Sequence, residues 1–251
     1  MEKKIRLDKY LADMGFGTRT EVKQLLKKGT VVVNGEVTKK AEQKVSKEDE
    51  IVVNGTKISY VTYEYLMLHK PAGVVSATED NRHKTVLDCI KESGLAVRND
   101  LFPVGRLDID TEGLLLITND GELAHQLLSP KKEVEKIYYA KVQGQIGETE
   151  QLQFAQGLDL GDFTSKPAKL TVLQYDENEN ISHIEVTICE GKFHQVKRMF
   201  EAVDSKVLYL KRISMGTLKL DETLPIGKVR PLTETEVQIL KTGKGKECLL
   251  C

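Results

Sequence analysis

The sequence predicts an α+β protein in two parts. A small N-terminal part pairs two helices with a hairpin-rich sheet, and a larger part is built on a mixed, mainly antiparallel β-sheet with flanking helices. Three observations carry this. Two short amphipathic patterns precede a hairpin signal in the first stretch of chain; from about Tyr60 the texture turns to short β-rich runs separated by Gly, Pro and Asp; and those runs do not alternate strictly with helical patterns, which disfavours a doubly wound sheet. Charge divides at the same place. Residues 1–60 hold 13 Lys+Arg against 9 Asp+Glu and the remainder 24 against 29, so a net charge of −1 conceals a basic N-terminal part. The expected organisation is residues 1–60, residues 61–240 and a C-terminal tail over 241–251.

In the first part, Leu7, Tyr10, Leu11 and Met14 fall at i, i+3, i+4 and i+7, the apolar stripe of a short helix, which Gly15 and Gly17 end. Thr18 and Glu21 have capping-box spacing, and Val22, Leu25 and Leu26 give a second helix its buried face. Arg19, Lys23 and Lys27 make a basic stripe beside that face before Gly29 stops the helix. Val31-Val32-Val33 runs into Asn34-Gly35, and Ile51 to Val53 into Asn54-Gly55, two hairpin signals. The stripe is compatible with a merely solvated helix face and with a platform for phosphates.

The length of 251 residues and the 40% hydrophobic content are ample for a core. No apolar run approaches a membrane span, and Met1-Glu2-Lys3-Lys4 does not open a secretory signal, so the expected location is the cytoplasm. Cys89, Cys189, Cys248 and Cys251 are scattered, against a disulfide framework; Cys248 and Cys251 form a C-x-x-C pair without a second pair at metal spacing, and read as two free thiols on the tail.

The larger part suggests strands at Tyr65–Leu68, Leu114–Thr118, Ile137–Val142, Ala168–Leu173, His183–Ile188 and Val207–Leu210, with helical patterns at Val86–Ser93, Leu123–Leu128 and His194–Ala202. No Gly-rich phosphate loop, HExxH or GxSxG motif occurs, which leaves nucleotide hydrolysis, zinc peptidase and serine hydrolase chemistry without support. Between Gly105 and Gly113 stand Asp108, Asp110 and Glu112, next to an apolar strand. Such a cluster fits a solvated turn, a metal site or a catalytic carboxylate; His ligands are not nearby. Asp108 and Asp110 are too close in one segment to flank a glycosidic bond as paired hydrolase carboxylates, and Asp110 reads as a turn residue.

Two resemblances narrow these readings. Arg6-Leu7-Asp8-Lys9-Tyr10-Leu11, Thr18-Arg19 and Gly29 to Gly35 resemble the alpha-L RNA-binding motif of a small-subunit ribosomal protein, tyrosyl-tRNA synthetases and several RNA-modifying enzymes. Gly105 to Gly121 resembles the catalytic motif of pseudouridine synthases of the RsuA branch. Lys70-Pro71-Ala72-Gly73-Val74-Val75-Ser76, Ser129-Pro130 with Glu135-Lys136-Ile137-Tyr138, Glu190 to Phe200, and Arg230-Pro231-Leu232-Thr233 resemble that branch's other motifs, in family order.

The resemblance implies isomerisation of a uridine in ribosomal RNA without cofactor or metal. It assigns the nucleophile to Asp108, a stacking and proton-transfer role to Tyr138 rather than Tyr139, and the cation beside the nucleophile to Lys197, where many relatives have Arg. A carboxylate drawn out of water stays ionised when a cation stands beside it; a phosphate contact is the alternative for Lys197 and Arg198. Arg106 is expected to hold the flipped nucleotide or its phosphate, Arg6, Lys9, Arg19, Lys23, Lys27 and Arg198 to contact RNA, and His194 and Gln195 to be structural or RNA-contacting rather than catalytic. His194 to Phe200 and Ser165-Lys166-Pro167-Ala168 resemble the enzyme of 16S rRNA, which makes that RNA, or a small-subunit assembly intermediate, the expected partner of a monomeric chain. The competing readings are a large-subunit synthase of the same branch and a non-enzymatic assembly factor with an inert acidic cluster.

Overall fold

Thr18 accepts a hydrogen bond from the Glu21 amide while the Glu21 carboxylate reaches back to Thr18, so the capping box closes as its spacing requires. It starts one of the two helices of the first unit in the computed structural model, which describes residues 4–95 and 97–242. That unit takes residues 4–64 together with the described part of 94–101. It contains β1 (Ile5–Arg6), α1 (Leu7–Asp13), α2 (Arg19–Lys27), β2 (Val31–Val33), β3 (Glu36–Val37), β4 (Lys44–Val45), β5 (Ile51–Val53) and β6 (Thr56–Ile58). The sheet order β3-β2-β5-β6 comes from two hairpins turned at Asn34-Gly35 and Asn54-Gly55. Both Asn residues sit at φ 50° and their glycines above 80°, the positive-φ pairs that match the twist of antiparallel strands. Leu7, Tyr10, Leu11, Val22, Leu26, Val31 and Ile51 are completely buried and form one core between helices and sheet.

Segment 94–101 returns to this unit, although its sequence carries no periodic apolar signal. Arg98 anchors it. Only 5% exposed, its guanidinium donates two hydrogen bonds to Asp100 and one to the Val61 carbonyl and lies 5.5 Å from the Tyr60 ring. The segment is held by ionic and polar contacts rather than by an amphipathic face.

The second unit contains β7 (Tyr65–Lys70), α3 (Val86–Glu92), β8 (Phe102–Pro103), β9 (Glu112–Thr118), α4 (Gly121–Leu128), β10 (Lys136–Gln143), α5 (Glu148–Gln156), β11 (Lys169–Asp176), β12 (Ile181–Ile188), α6 (Gln195–Glu201), β13 (Val207–Met215), β14 (Leu218–Lys219), β15 (Val229–Pro231) and α7 (Glu234–Thr242). Its sheet runs β11-β12-β10-β13-β9-β7-β15, with β8 on β9 and β14 on β13, and is antiparallel except where β13 meets β9. Every residue of β7 is buried, as expected of a strand covered on both faces, whereas β12 alternates between buried and half-buried. Leu123, Ala124 and Leu127 of α4 and Leu240 of α7 pack with Tyr65, Met67, Leu114 and Leu116 of the central strands.

Three elements exceed what the sequence suggests. β13 continues to Met215 although Lys211 and Arg212 interrupt its apolar pattern; Arg212 is nevertheless 2% exposed, its Nε donating to the Leu114 carbonyl. Helices α5 and α7 each bury a single residue fully, Phe154 and Leu240, too little for a periodic signal. Of the expected tail, residues 241 and 242 end α7; the rest, with Cys248 and Cys251, lies outside the described residues.

Candidate active site

Between β8 and β9 the chain makes a loop whose backbone is gripped from an earlier strand. Lys70, at the end of β7, is fully buried, and its Nζ donates to the carbonyls of Pro71, Asp108, Ile109 and Thr111 at 2.8–3.3 Å. Burial lowers this ammonium to about 8, against the pull of Asp110 and Asp108. Ser76 adds a reciprocal pair, its hydroxyl donating to the Leu107 carbonyl and accepting from the Leu107 amide. The Thr111 amide closes a turn onto the Asp108 carbonyl. Gly113 ends the loop at φ 107°, where a Cβ would stand 2.2 Å from the Arg212 carbonyl oxygen, so only glycine lets β9 and β13 approach there.

The Asp108 side chain is 26% exposed, and Lys197 Nζ stands 3.3 Å from its Oδ2. The same ammonium bonds both oxygens of Asp110, at 2.6 and 2.9 Å. Burial would lower Lys197, but the two carboxylates outweigh it and hold it above the ordinary lysine value. Burial would likewise raise Asp110, yet the Lys197 hydrogen bond and charge bring it below the ordinary value. His194 Nε2 lies 3.7 Å from Asp108 Oδ1. Arg106, Asp108, Thr111, Tyr138, Lys192 and His194 are among the residues lining one open cleft. Tyr138 comes from β10, whose alternation sends Tyr139 to the opposite face, where its hydroxyl is 2.6 Å from His183 Nδ1. This arrangement offers a carboxylate, a cation, an aromatic face and a phenol around one small space. Among the described residues no three His, Cys, Asp or Glu side chains gather as a metal site.

Asp108, Tyr138, Lys197, Arg106 and His194 thus come together. Two of the expected RNA contacts are engaged within the protein. Gln195 is 4% exposed, with its amide bonded to Glu190 and to the Lys192 amide, so it shapes the loop over residues 190–195 instead of facing RNA. The Arg198 guanidinium bonds the Leu160 carbonyl and the Asp162 carboxylate and lies 5.2 Å from the Phe163 ring, which ties α6 to the segment between α5 and β11. Asp110 occupies the expected turn but is also the closest anionic partner of Lys197, which spacing alone did not signal. Lys70 and Ser76, quoted above only as motif residues, are the loop's anchors. In the first unit Lys9, Arg19, Lys23 and Lys27 are exposed, while Arg6 is exposed and paired with buried Asp8.

Comparison with known proteins places a pattern for RNA pseudouridylate synthases on residues 64–202 and an S4 domain on residues 5–51. The chain is 42% identical to "Ribosomal small subunit pseudouridine synthase A" of Vibrio cholerae, covering 93% of this chain and 98% of that protein. It is 40% identical to "Ribosomal large subunit pseudouridine synthase B" of Bacillus subtilis, covering 94% and 95%. A solved structure described as "Crystal structure of pseudouridylate synthase" matches with 35% identity and a TM-score of 0.62 over 94% of this chain and 99% of the other. Full-length similarity of this kind, over both units and through the loop that carries Asp108, makes the chain a member of the RNA pseudouridine synthases, of the RsuA type with an S4 domain.

Proposed function

We propose that the protein isomerises one uridine of 16S rRNA, or of a small-subunit assembly intermediate, in the cytoplasm, with Asp108 as nucleophile. The observation that carries the assignment is the partly buried Asp108 carboxylate in a cleft with Lys197 3.3 Å away. The carboxylate adds to the flipped-out nucleotide, the N1–C1′ bond breaks, the uracil turns, C5 bonds to C1′, and the bond to Asp108 breaks, which frees the carboxylate. The C5 proton leaves and a proton is gained at N1, so the reaction needs no redox partner. Tyr138 supplies a stacking face and assists removal of the C5 proton. Lys197 pairs with the Asp108 carboxylate, and Asp110 keeps Lys197 in position. Arg106 holds the nucleotide or its phosphate, and Lys9, Arg19, Lys23 and Lys27 dock RNA through its backbone.

The 16S choice rests on the resemblance of His194 to Phe200 and of Ser165 to Ala168 to the small-subunit enzyme. The 40% identity to a large-subunit synthase supports 23S rRNA as the second reading. Mapping pseudouridines in rRNA from cells with and without the protein decides between them. Loss of one modification in 16S rRNA, restored by the wild type and not by Asp108→Asn, is the expected result. A lost site in 23S rRNA instead selects the second reading, and an unchanged map in both overturns the proposal.

A further inference from the structure

Phe193 is 71% exposed, the most solvent-exposed of the large exposed apolar side chains among the described residues. Its ring is not loose. It stacks on the His194 imidazole with centroids 3.8 Å apart and planes 17° from parallel, and His194 in turn reaches to 3.7 Å from Asp108. His194 holds a left-handed backbone, φ 48°, a conformation that is strained for a non-glycine residue and that persists where the surroundings require it. The pair therefore extends from the reacting carboxylate to open solvent. Lys192 and Arg106 line the cleft beside it. An outward aromatic face next to cations complements a base joined to phosphates more closely than it does an apolar protein surface. Flipping a uridine out of its strand also strips its neighbours of a stacking partner, and an aromatic side chain can replace it.

We propose that the outer face of Phe193 receives an unpaired base adjacent to the target uridine, making the Phe193–His194 stack a second subsite for single-stranded RNA. This rests on the Asp108 cleft taking a uridine. The probe is an RNA heptamer, one central uridine among adenines, with 2-aminopurine immediately 5′ or 3′ of the uridine; stacking quenches its fluorescence. Wild-type protein should quench one of the two positions. Phe193→Ala should abolish that quenching and weaken binding about 5- to 150-fold, the equivalent of one base stacked on one ring. Phe193→Tyr should restore both, and Phe193→Leu, which keeps apolar area without a ring, should not. A heptamer with abasic residues on both sides of the uridine should bind wild type and Phe193→Ala equally. Wild-type protein that quenches neither position, quenching that survives in Phe193→Ala, or loss of a copurifying protein with RNA binding intact, overturns the subsite. If rRNA is modified but quenching ignores Phe193, the subsite fails and the function stands. If quenching follows Phe193 but no rRNA uridine is converted, the function fails and the subsite stands.

Discussion

Tyr138 lines the cleft with Asp108 while Tyr139, the next residue, hydrogen-bonds His183 on the other face of the sheet, so one strand separates two phenols by role. Tyr138→Phe keeps the ring and removes the hydroxyl. Binding should hold while single-turnover conversion slows about a hundredfold or more, the usual worth of proton-transfer assistance. Tyr139→Phe should leave turnover nearly unchanged and cost about 1 kcal/mol of stability through the lost bond to His183, read by denaturant unfolding. If Tyr139→Phe is the slow variant, the strand's roles are reversed. Asp108→Asn should abolish conversion with folding and RNA binding intact, since the side chain makes no core contact that the substitution empties; measurable turnover sinks the nucleophile. The two tyrosines were separable in sequence because strand alternation is a period of two. The Lys197–Asp110 contact was not, because it joins positions 87 residues apart and only a folded loop brings them to 2.6 Å.

At the scale of the element, the 107–113 loop behaves as a strap fastened by β7 and the turn that follows it. Ser76→Ala removes both bonds to the Leu107 backbone and leaves a buried amide and carbonyl unpaired, at about 1–3 kcal/mol. The melting temperature should fall and kcat should drop further than a uniform loss of binding explains, because Asp108 is the next residue along the strap. Lys70 gives a pH signature. Its folded value of about 8 lies below the ordinary 10.5, so between those values the unfolded chain holds the proton and the folded one releases it. Stability from this group therefore rises with pH across that window. Loss of the ammonium meanwhile weakens its hold on the four carbonyls. Turnover should decline above about pH 8 without a matching fall in melting temperature, and Lys70→Met, slow at every pH, should not show the decline. Strands and helices with strong apolar periods, such as those beginning at Tyr65, Arg19 and Lys136, were legible in the sequence. The strap's anchors were visible only as motif letters, since a lysine bonded to carbonyls has no periodicity to read.

Over the whole molecule, charge is partitioned by unit, and the chain crosses between the units three times, at 64/65, 93/94 and 101/102. The return of 94–101 was invisible to composition because a buried arginine, not an apolar stripe, secures it. The basic surface of the first unit was legible, and its consequence is a salt-dependent affinity. Each phosphate contact releases counterions, so the slope of log affinity against log salt falls in magnitude by about 0.7–0.9 for each contact removed. Arg19 and Lys23 are exposed on α2, beside its buried Val22 and Leu26, so Arg19→Glu with Lys23→Glu should leave the fold intact. Binding to an rRNA fragment, measured from low to moderate salt, should weaken most at low salt, and the slope should flatten by roughly 1.4 to 1.8. Turnover at saturating RNA should change little, because neither residue belongs to the catalytic unit. Reversing two other exposed lysines of that unit, Lys39 and Lys57, controls for net charge. If that control reproduces the full effect, the unit attracts RNA through its overall charge and α2 is no dedicated docking face. If affinity and slope both stay at wild-type values in the α2 variant, RNA is held by the catalytic cleft, and the basic surface serves another purpose.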